Sequence, residues 1–200
     1  MSLPVITISR EYGSGGRAIG EKLAKELNIP FYDNERIFAI AKESGLSEAY
    51  IKKTEQMKAT SFLYGLYMNT RQKPSNDDVF LVQSKVILSA AEKGPCVIVG
   101  RCADYVLRDR EDLFSIFIHA PIDYRVERAK KVYKVDAHSV EDFVKKQDKL
   151  RASFYNHISD KKWGDANSFH LALSSVYGVD FAVEVLKHAA LSFMQDPEEK

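Results

Sequence analysis

The amino-acid sequence predicts an α/β fold: a parallel sheet of about five strands with helices on both faces. Two observations carry this expectation. Short runs rich in β-branched and apolar residues, at Val5–Ile8, Cys96–Gly100 and Leu113–His119, alternate with longer segments of helical periodicity. No two strand-like runs are close enough in the chain to suggest a hairpin, so helical crossovers must join them, which makes the strands parallel. With 200 residues and no internal repeat, a single domain over 1–200 is expected, long enough to bury a sizeable core.

Val5–Ile8 is the first strand. A polar, glycine-rich loop from Ser9 to Gly16 follows, and then a helix whose Ile19, Leu23, Ala24 and Leu27 share one face. Phe31–Tyr32 reads as a brief second strand ending at Asp33. Asn34–Glu43 is the next helix, apolar at Ile37, Phe38, Ile40 and Ala41, and Gly45 stops it. Ser47 is a candidate cap for a following helix with Tyr50 and Ile51. Residues 60–70 are rich in aromatics (Phe62, Tyr64, Tyr67) and read as core or as a dimer contact, while Arg71–Asp78 reads as a polar, mobile loop. Val79–Glu92 is a helix with Val79, Val82, Val86 and Ala90 on one stripe, ended by Gly94–Pro95. Cys96–Gly100 and Leu113–His119 are buried strands. Pro121 opens a helix over Ile122–Val132, and a long helix runs from Ser139 or Val140 to Tyr155. A loop over Ser159–Asp165, a short strand at His170–Ser174, a closing helix at Val179–Met194 and a polar tail at Asp196–Lys200 complete the chain.

Composition narrows the function classes. The formal net charge of +1 implies no global attraction to nucleic acid or to an anionic membrane. No apolar run approaches the ~20 residues that span a bilayer. Met1–Pro4 runs directly into the first strand, so no secretory signal is expected. Cys96 and Cys102 lack CxxC spacing and read as small core residues in a reducing cytoplasm. The five histidines have no zinc-ligand spacing, and no metal site of the protein's own is expected.

Chemistry concentrates at the first loop. Strand, glycine loop and helix in that order form an anion-binding device, because glycines let consecutive N–H groups turn inward and the helix start adds unpaired donors. A di- or triphosphate is the natural guest. The string G-x-x-x-x-G-K-[ST] is not matched: with Gly15 as the last loop glycine, Gly16 holds the lysine position and Arg17 the hydroxyl position. Gly13, Gly15 and Ala18 satisfy the dinucleotide string G-x-G-x-x-G/A, with Asp33 near the distance of a ribose acid. Four residues, Ser9 to Tyr12, separate strand from glycine, however, which suits a longer loop wrapped around a phosphate. Further on, Arg101 follows a strand at the sheet edge where ligands bind, and Arg125, Arg128, Lys149 and Arg151 lie on later helices. Phosphoryl transfer is mostly positioning and charge neutralisation, which calls for such converging cations.

The chain resembles the cytidylate kinase-like family of P-loop nucleoside monophosphate kinases. The resemblance lies in Ile6–Gly20, Pro30–Asp33, Val97–Leu107, Asp148–Tyr155 and Trp163–Asp165. It implies a three-layer P-loop kinase-like fold with an acceptor-binding helical insert at about 34–78 and a lid at about 120–165. It implies transfer of the ATP γ-phosphate to CMP or dCMP with Mg²⁺, with small nucleotides as partners. It places Gly13, Ser14, Gly15, Gly16, Arg17 and Ala18 around the ATP phosphates, and Asp33 and Arg101 on the acceptor. Arg128 and Arg151 would neutralise the transferring group, with Asp148 ordering Arg151 from three residues away on the same helix face. The aromatic insert, Phe62 to Tyr67, would then form a wall for a nucleobase or a homodimer contact.

The loop departs from the family's conventional members. Gly16 and Arg17 replace the lysine region, and Ala18 stands where a Mg²⁺-binding hydroxyl is expected. Arg17 is the expected stand-in for the lysine, and Ser14 or a water for the hydroxyl. The departure keeps two alternatives open: a catalytically inactive nucleotide-binding or regulatory module, and a kinase for a different small acceptor.

Overall fold

The computed structural model describes residues 3–43 and 76–194. Its strands are β1 (Val5–Arg10), β2 (Phe31–Tyr32), β3 (Val97–Val99), β4 (Leu113–His119) and β5 (Leu171–Ser174). Its helices are α1 (Gly16–Leu27), α2 (Asn34–Glu43), α3 (Asn76–Glu92), α4 (Ala103–Val106), α5 (Ile122–Lys131), α6 (Val140–Ser159) and α7 (Val179–Phe193). The five strands are parallel in the order β2-β3-β1-β4-β5. The first strand of the chain is therefore the middle one, with Ile6 opposite both Val97 and Phe114.

Period-two alternation in β1 divides the core into two layers. Ile6 and Ile8, with Val97, Val99, Ile116 and Ile118, pack under α1 and α7. Val5, with Ile98 and Leu113, faces the other way, toward α2, α3 and α4. A third cluster joins Cys102, Phe117, Tyr155 and Phe169, and it seats the C-terminal half of α6 against the end of β4. Both cysteines are buried, and burial raises the Cys96 thiol to about 11 and the Cys102 thiol to about 12. These are inert packing residues.

Several boundaries differ from the sequence reading. The expected polar loop contributes its last three residues, 76–78, to the first turn of α3, because a polar helix start carries no apolar periodicity to read. Helix α6 continues four residues past Tyr155, to Ser159, where Asp160 takes up the left-handed conformation at φ 53° and its N–H closes on the Asn156 carbonyl. The four-residue helix α4 is a single turn, too short to show an apolar periodicity in the sequence. The Ser47 cap, the aromatic stretch at 60–70 and the polar tail lie outside the described residues.

Candidate functional site

The carboxyl ends of β1, β3, β4 and β5 share one edge of the sheet, and the loop of residues 11–15 crosses it. The loop is held from every side. Glu11 N–H donates to the Ile118 carbonyl at 3.0 Å, and the Glu11 carboxylate accepts from Ala120 N–H at 3.0 Å, which ties both to β4. Ser175, just past β5, donates its hydroxyl to the Ser14 carbonyl at 2.6 Å. Tyr12 N–H donates to Asp148 on α6 at 2.6 Å, and the Tyr12 ring packs edge-on against Phe143 and Tyr133.

Arg125 on α5 is the central tie. Its Nε donates to the Ala120 carbonyl at 2.9 Å and lies 3.2 Å from the Glu11 carboxylate. One terminal nitrogen donates to the Tyr12 carbonyl at 3.2 Å and also pairs closely with Asp148. Gly13 is required here by both conformation and space: its φ is +83°, and a Cβ would lie 2.6 Å from the Arg125 carbonyl oxygen.

So braced, the loop leaves donors over. The N–H groups of Gly13, Gly15, Gly16, Arg17 and Ala18 have no hydrogen-bond partner among the described residues; the first bond of α1 runs from Ile19 N–H to the Gly15 carbonyl. The helix begins at Gly16, after Gly15 at φ +82°, so Gly16 occupies the position that follows the last loop glycine. Unsatisfied donors at a helix start, preceded by left-handed glycines, are an anion seat.

Cations surround it. Arg128 lies over Gly15, with its Nε 3.1 Å from where a Gly15 Cβ would stand; that Nε is buried and has no partner among the described residues. Arg10, Arg101 and Arg151 gather at the ends of β1 and β3. Arg151 donates to the Arg10 carbonyl at 2.9 Å and stacks on the Tyr12 ring at 5.3 Å. Burial lowers the Arg10 guanidinium well below its ordinary range, and Arg151 and Arg101 lower it further. Burial also lowers Arg151, against the pull of Asp148. Arg101 and Cys102 sit at φ 60° and 51°, directly after Gly100 at φ 80°. Two consecutive non-glycine residues in the left-handed region cost roughly 1 kcal/mol or more each, a strain typical of functional turns.

The structure brings most of the sequence-selected residues to this edge but gives several of them other partners. Arg17 is turned to Asp33 (Nη2 to Oδ2, 2.7 Å) and to Glu21 (3.4 Å). Asp33 also caps α2, accepting from Arg36 N–H at 3.0 Å. Asp148 holds Tyr12 N–H and Arg125, while its influence on Arg151 is electrostatic. Ser14 is 1% exposed, and its hydroxyl donates to the Glu11 carbonyl at 2.9 Å. With Ser14 turned under the loop and no hydroxyl at Ala18, the loop offers no hydroxyl to Mg²⁺, and its one carboxylate, Glu11, is engaged by Ala120 N–H and Arg125. Among the described residues no group of three or more His, Cys, Asp or Glu side chains is placed to hold a metal. Sequence reading missed Arg10, Glu11 and Tyr12. Arg10 had a usable signal, since it ends β1 just as Arg101 follows β3.

The sequence profile of the cytidylate kinase-like family matches residues 5–177, and the chain belongs to that family. No protein of curated function matches it in sequence. Among solved structures, an uncharacterized protein from Eubacterium ventriosum is 28% identical, with a TM-score of 0.73 over 94% of this chain and 99% of that one. Two others share the fold at low identity. Gluconokinase from Sinorhizobium meliloti is 15% identical (TM-score 0.58, covering 98% of this chain and 100% of that one). Shikimate kinase from Acinetobacter baumannii, in complex with shikimate, is also 15% identical (TM-score 0.56, covering 97% and 96%). The fold is that of the P-loop kinases. No helix among the described residues is long and apolar enough to cross a membrane.

Proposed function

We propose that this member of the cytidylate kinase-like family transfers the γ-phosphate of ATP to CMP or dCMP. The observation that carries the reading is the row of unpartnered N–H groups at Gly13 and Gly15–Ala18, set beside Arg128 and the Arg10–Arg101–Arg151 group. Backbone donors and arginines converging on one edge suit a polyphosphate, because guanidinium forks bind phosphate oxygens in pairs. Family membership supports a nucleoside monophosphate as acceptor, held by Asp33 and Arg101 with the insert at about 34–78.

In the reaction, an oxygen of the acceptor phosphate bonds to the γ-phosphorus as the bond to the β–γ bridging oxygen breaks. ADP departs with that electron pair, and a fully ionised acceptor phosphate has no proton to lose. Charge builds on the bridging and equatorial oxygens, so the residues' work is to neutralise it and hold the two phosphates in line. Arg128 and Arg151 take that role from the 120–165 region. Asp148 positions them by fixing Arg125 and the Tyr12 backbone. Mg²⁺, when present, supplies charge neutralisation as part of the bound nucleotide, and none of these residue roles depends on a protein ligand to it.

ADP release measured with ATP and a panel of nucleoside monophosphates tests the reading. Release that depends on CMP or dCMP is expected. Release that no monophosphate stimulates would overturn it, and tight ATP binding without turnover would point to a nucleotide-sensing module.

A further inference from the structure

We propose that Arg10 supplies the positive charge at the nucleotide polyphosphate that a loop lysine supplies in other P-loop kinases, with Gly16 and Gly100 kept bare to let its side chain through. The inference rests on the phosphotransferase reading for its setting and adds a residue that the glycine string cannot reveal.

The argument is first steric. Gly16 stands at the lysine position, the first helical residue after the left-handed Gly15. A Cβ at Gly16 would lie 2.7 Å from the Arg10 Cβ and 3.0 Å from its Cγ. A side chain at 16 and the Arg10 side chain therefore claim the same volume, and this chain gives that volume to Arg10. The arginine then runs across the sheet edge to Gly100, where a Cβ would lie 2.9 Å from the guanidinium carbon and closer still to Nη1. Two glycines, one opening α1 and one following β3, thus border one arginine along its length.

The second part is electrostatic. Arg10 is half-buried and hemmed in by two glycine backbones, and a guanidinium so placed ordinarily has a carboxylate partner, since desolvating an isolated charge is expensive. Among the described residues Arg10 has no ion pair, and its nearest charged neighbours include Arg151 and Arg101. Arg151 and Arg101 repel the Arg10 charge, and against them stands only the weaker pull of Asp33, which is itself paired with Arg17. A polyanion removes that penalty, and the unpartnered donors of Gly13 and Gly15–Ala18 adjoin the same edge. The buried, unpartnered Nε of Arg128 is a separate sign that this edge awaits an anion.

The test uses the full chain with inorganic tripolyphosphate and ATP as probes, and compares Arg10→Met and Arg10→Lys with wild type by calorimetry, thermal unfolding and ADP release. Arg10→Met keeps the bulk and removes the charge. It is expected to weaken tripolyphosphate binding by about 10- to 100-fold and to raise the unliganded unfolding midpoint by ~2–4 °C through relief of repulsion. Arg10→Lys should recover part of the binding. A purely structural arginine would do the opposite: its loss would lower the midpoint and leave polyphosphate affinity alone, and either of those results overturns the assignment. Wild type that binds no tripolyphosphate overturns it as well. Wild type that binds but releases no ADP with any acceptor ends the kinase reading and leaves Arg10 as the polyphosphate cation. Turnover and binding equal to wild type in Arg10→Met end the Arg10 assignment and leave the kinase.

Discussion

Arg125 and Arg10 both press on the phosphate loop, and they are satisfied in opposite ways. Arg125, with a side chain only 9% exposed, has two carboxylates and two carbonyls around it. Arg10 has two bare glycines and two other arginines, with only the weaker pull of Asp33 against them. The first arrangement is complete without a ligand and fixes the loop's shape. The second, on the reading proposed above, is completed by an anion. A cation near a phosphate loop is therefore not a binding residue by virtue of its position. What decides is whether the folded chain already neutralises it.

The comparison is most directly broken at Arg125. Arg125→Ala leaves Asp148 and Glu11 partly buried without their cation and frees the Tyr12 carbonyl, so a loss of about 3–5 kcal/mol is expected in urea unfolding. Arg125→Lys should recover less than half, since one ammonium cannot meet Ala120, Tyr12, Glu11 and Asp148 together. A loss below about 1 kcal/mol would put Arg125 in the same class as exposed surface pairs and remove the contrast.

The two left-handed glycines sharpen it. Gly13 and Gly15 have nearly the same φ, +83° and +82°, so alanine should cost each roughly 1 kcal/mol in backbone strain. Their surroundings differ. At Gly13 the new methyl meets the α5 backbone at 2.6 Å, which cannot yield without moving the helix. At Gly15 it meets the Arg128 guanidinium at 3.1 Å, which can swing aside. Gly13→Ala should thus cost ~2 kcal/mol or more. Gly15→Ala should cost about half as much stability yet more nucleotide affinity, because it displaces a cation from the anion seat. Equal losses at the two sites would show that the flanking arginine does not distinguish them.

What the sequence made legible follows from these distinctions. The sheet could be read because buried parallel strands such as Leu113–His119 are continuous apolar runs, and the observed bounds of that strand are the expected ones. The glycine loop could be read because left-handed backbone needs glycine. Partnership could not. Asp148 sits three residues from Arg151, the spacing of a helix pair, yet its bonds go to Tyr12, 136 residues away, and to Arg125, 23 away. Arg10 reads from the sequence as part of the polar loop from Ser9 to Gly16; the fold instead puts it at the end of β1, bordered by Gly16 and Gly100. Local spacing constrains neighbours on one helix; it carries no information about which distant groups the sheet edge brings together.

Arg17 tests the comparison from its weak side. It is paired, like Arg125, but its side chain is 54% exposed, against 9% for Asp33. Solvent screening limits such a pair, so Arg17→Ala should cost no more than about 1 kcal/mol near neutral pH. The sign of the pH dependence follows from Asp33. Burial alone would raise its carboxyl, but the Arg36 N–H and the Arg17 guanidinium outweigh burial and hold it below the ordinary carboxylate range. A depressed carboxyl contributes stability that is fully present above its unfolded pKa and is lost as the pH falls through the folded value. Without Arg17 the depression is smaller, leaving only the backbone donors to maintain it. The gap between wild type and Arg17→Ala in urea unfolding should therefore be widest near neutrality and close on acidification, as Asp33 takes up its proton. A gap that persists in acid would locate the Arg17 contribution in packing rather than in the ion pair. A gap that widens would mean that Arg17 is better satisfied elsewhere, and the phosphate loop, the other place within reach of α1's first turn, would be where to look.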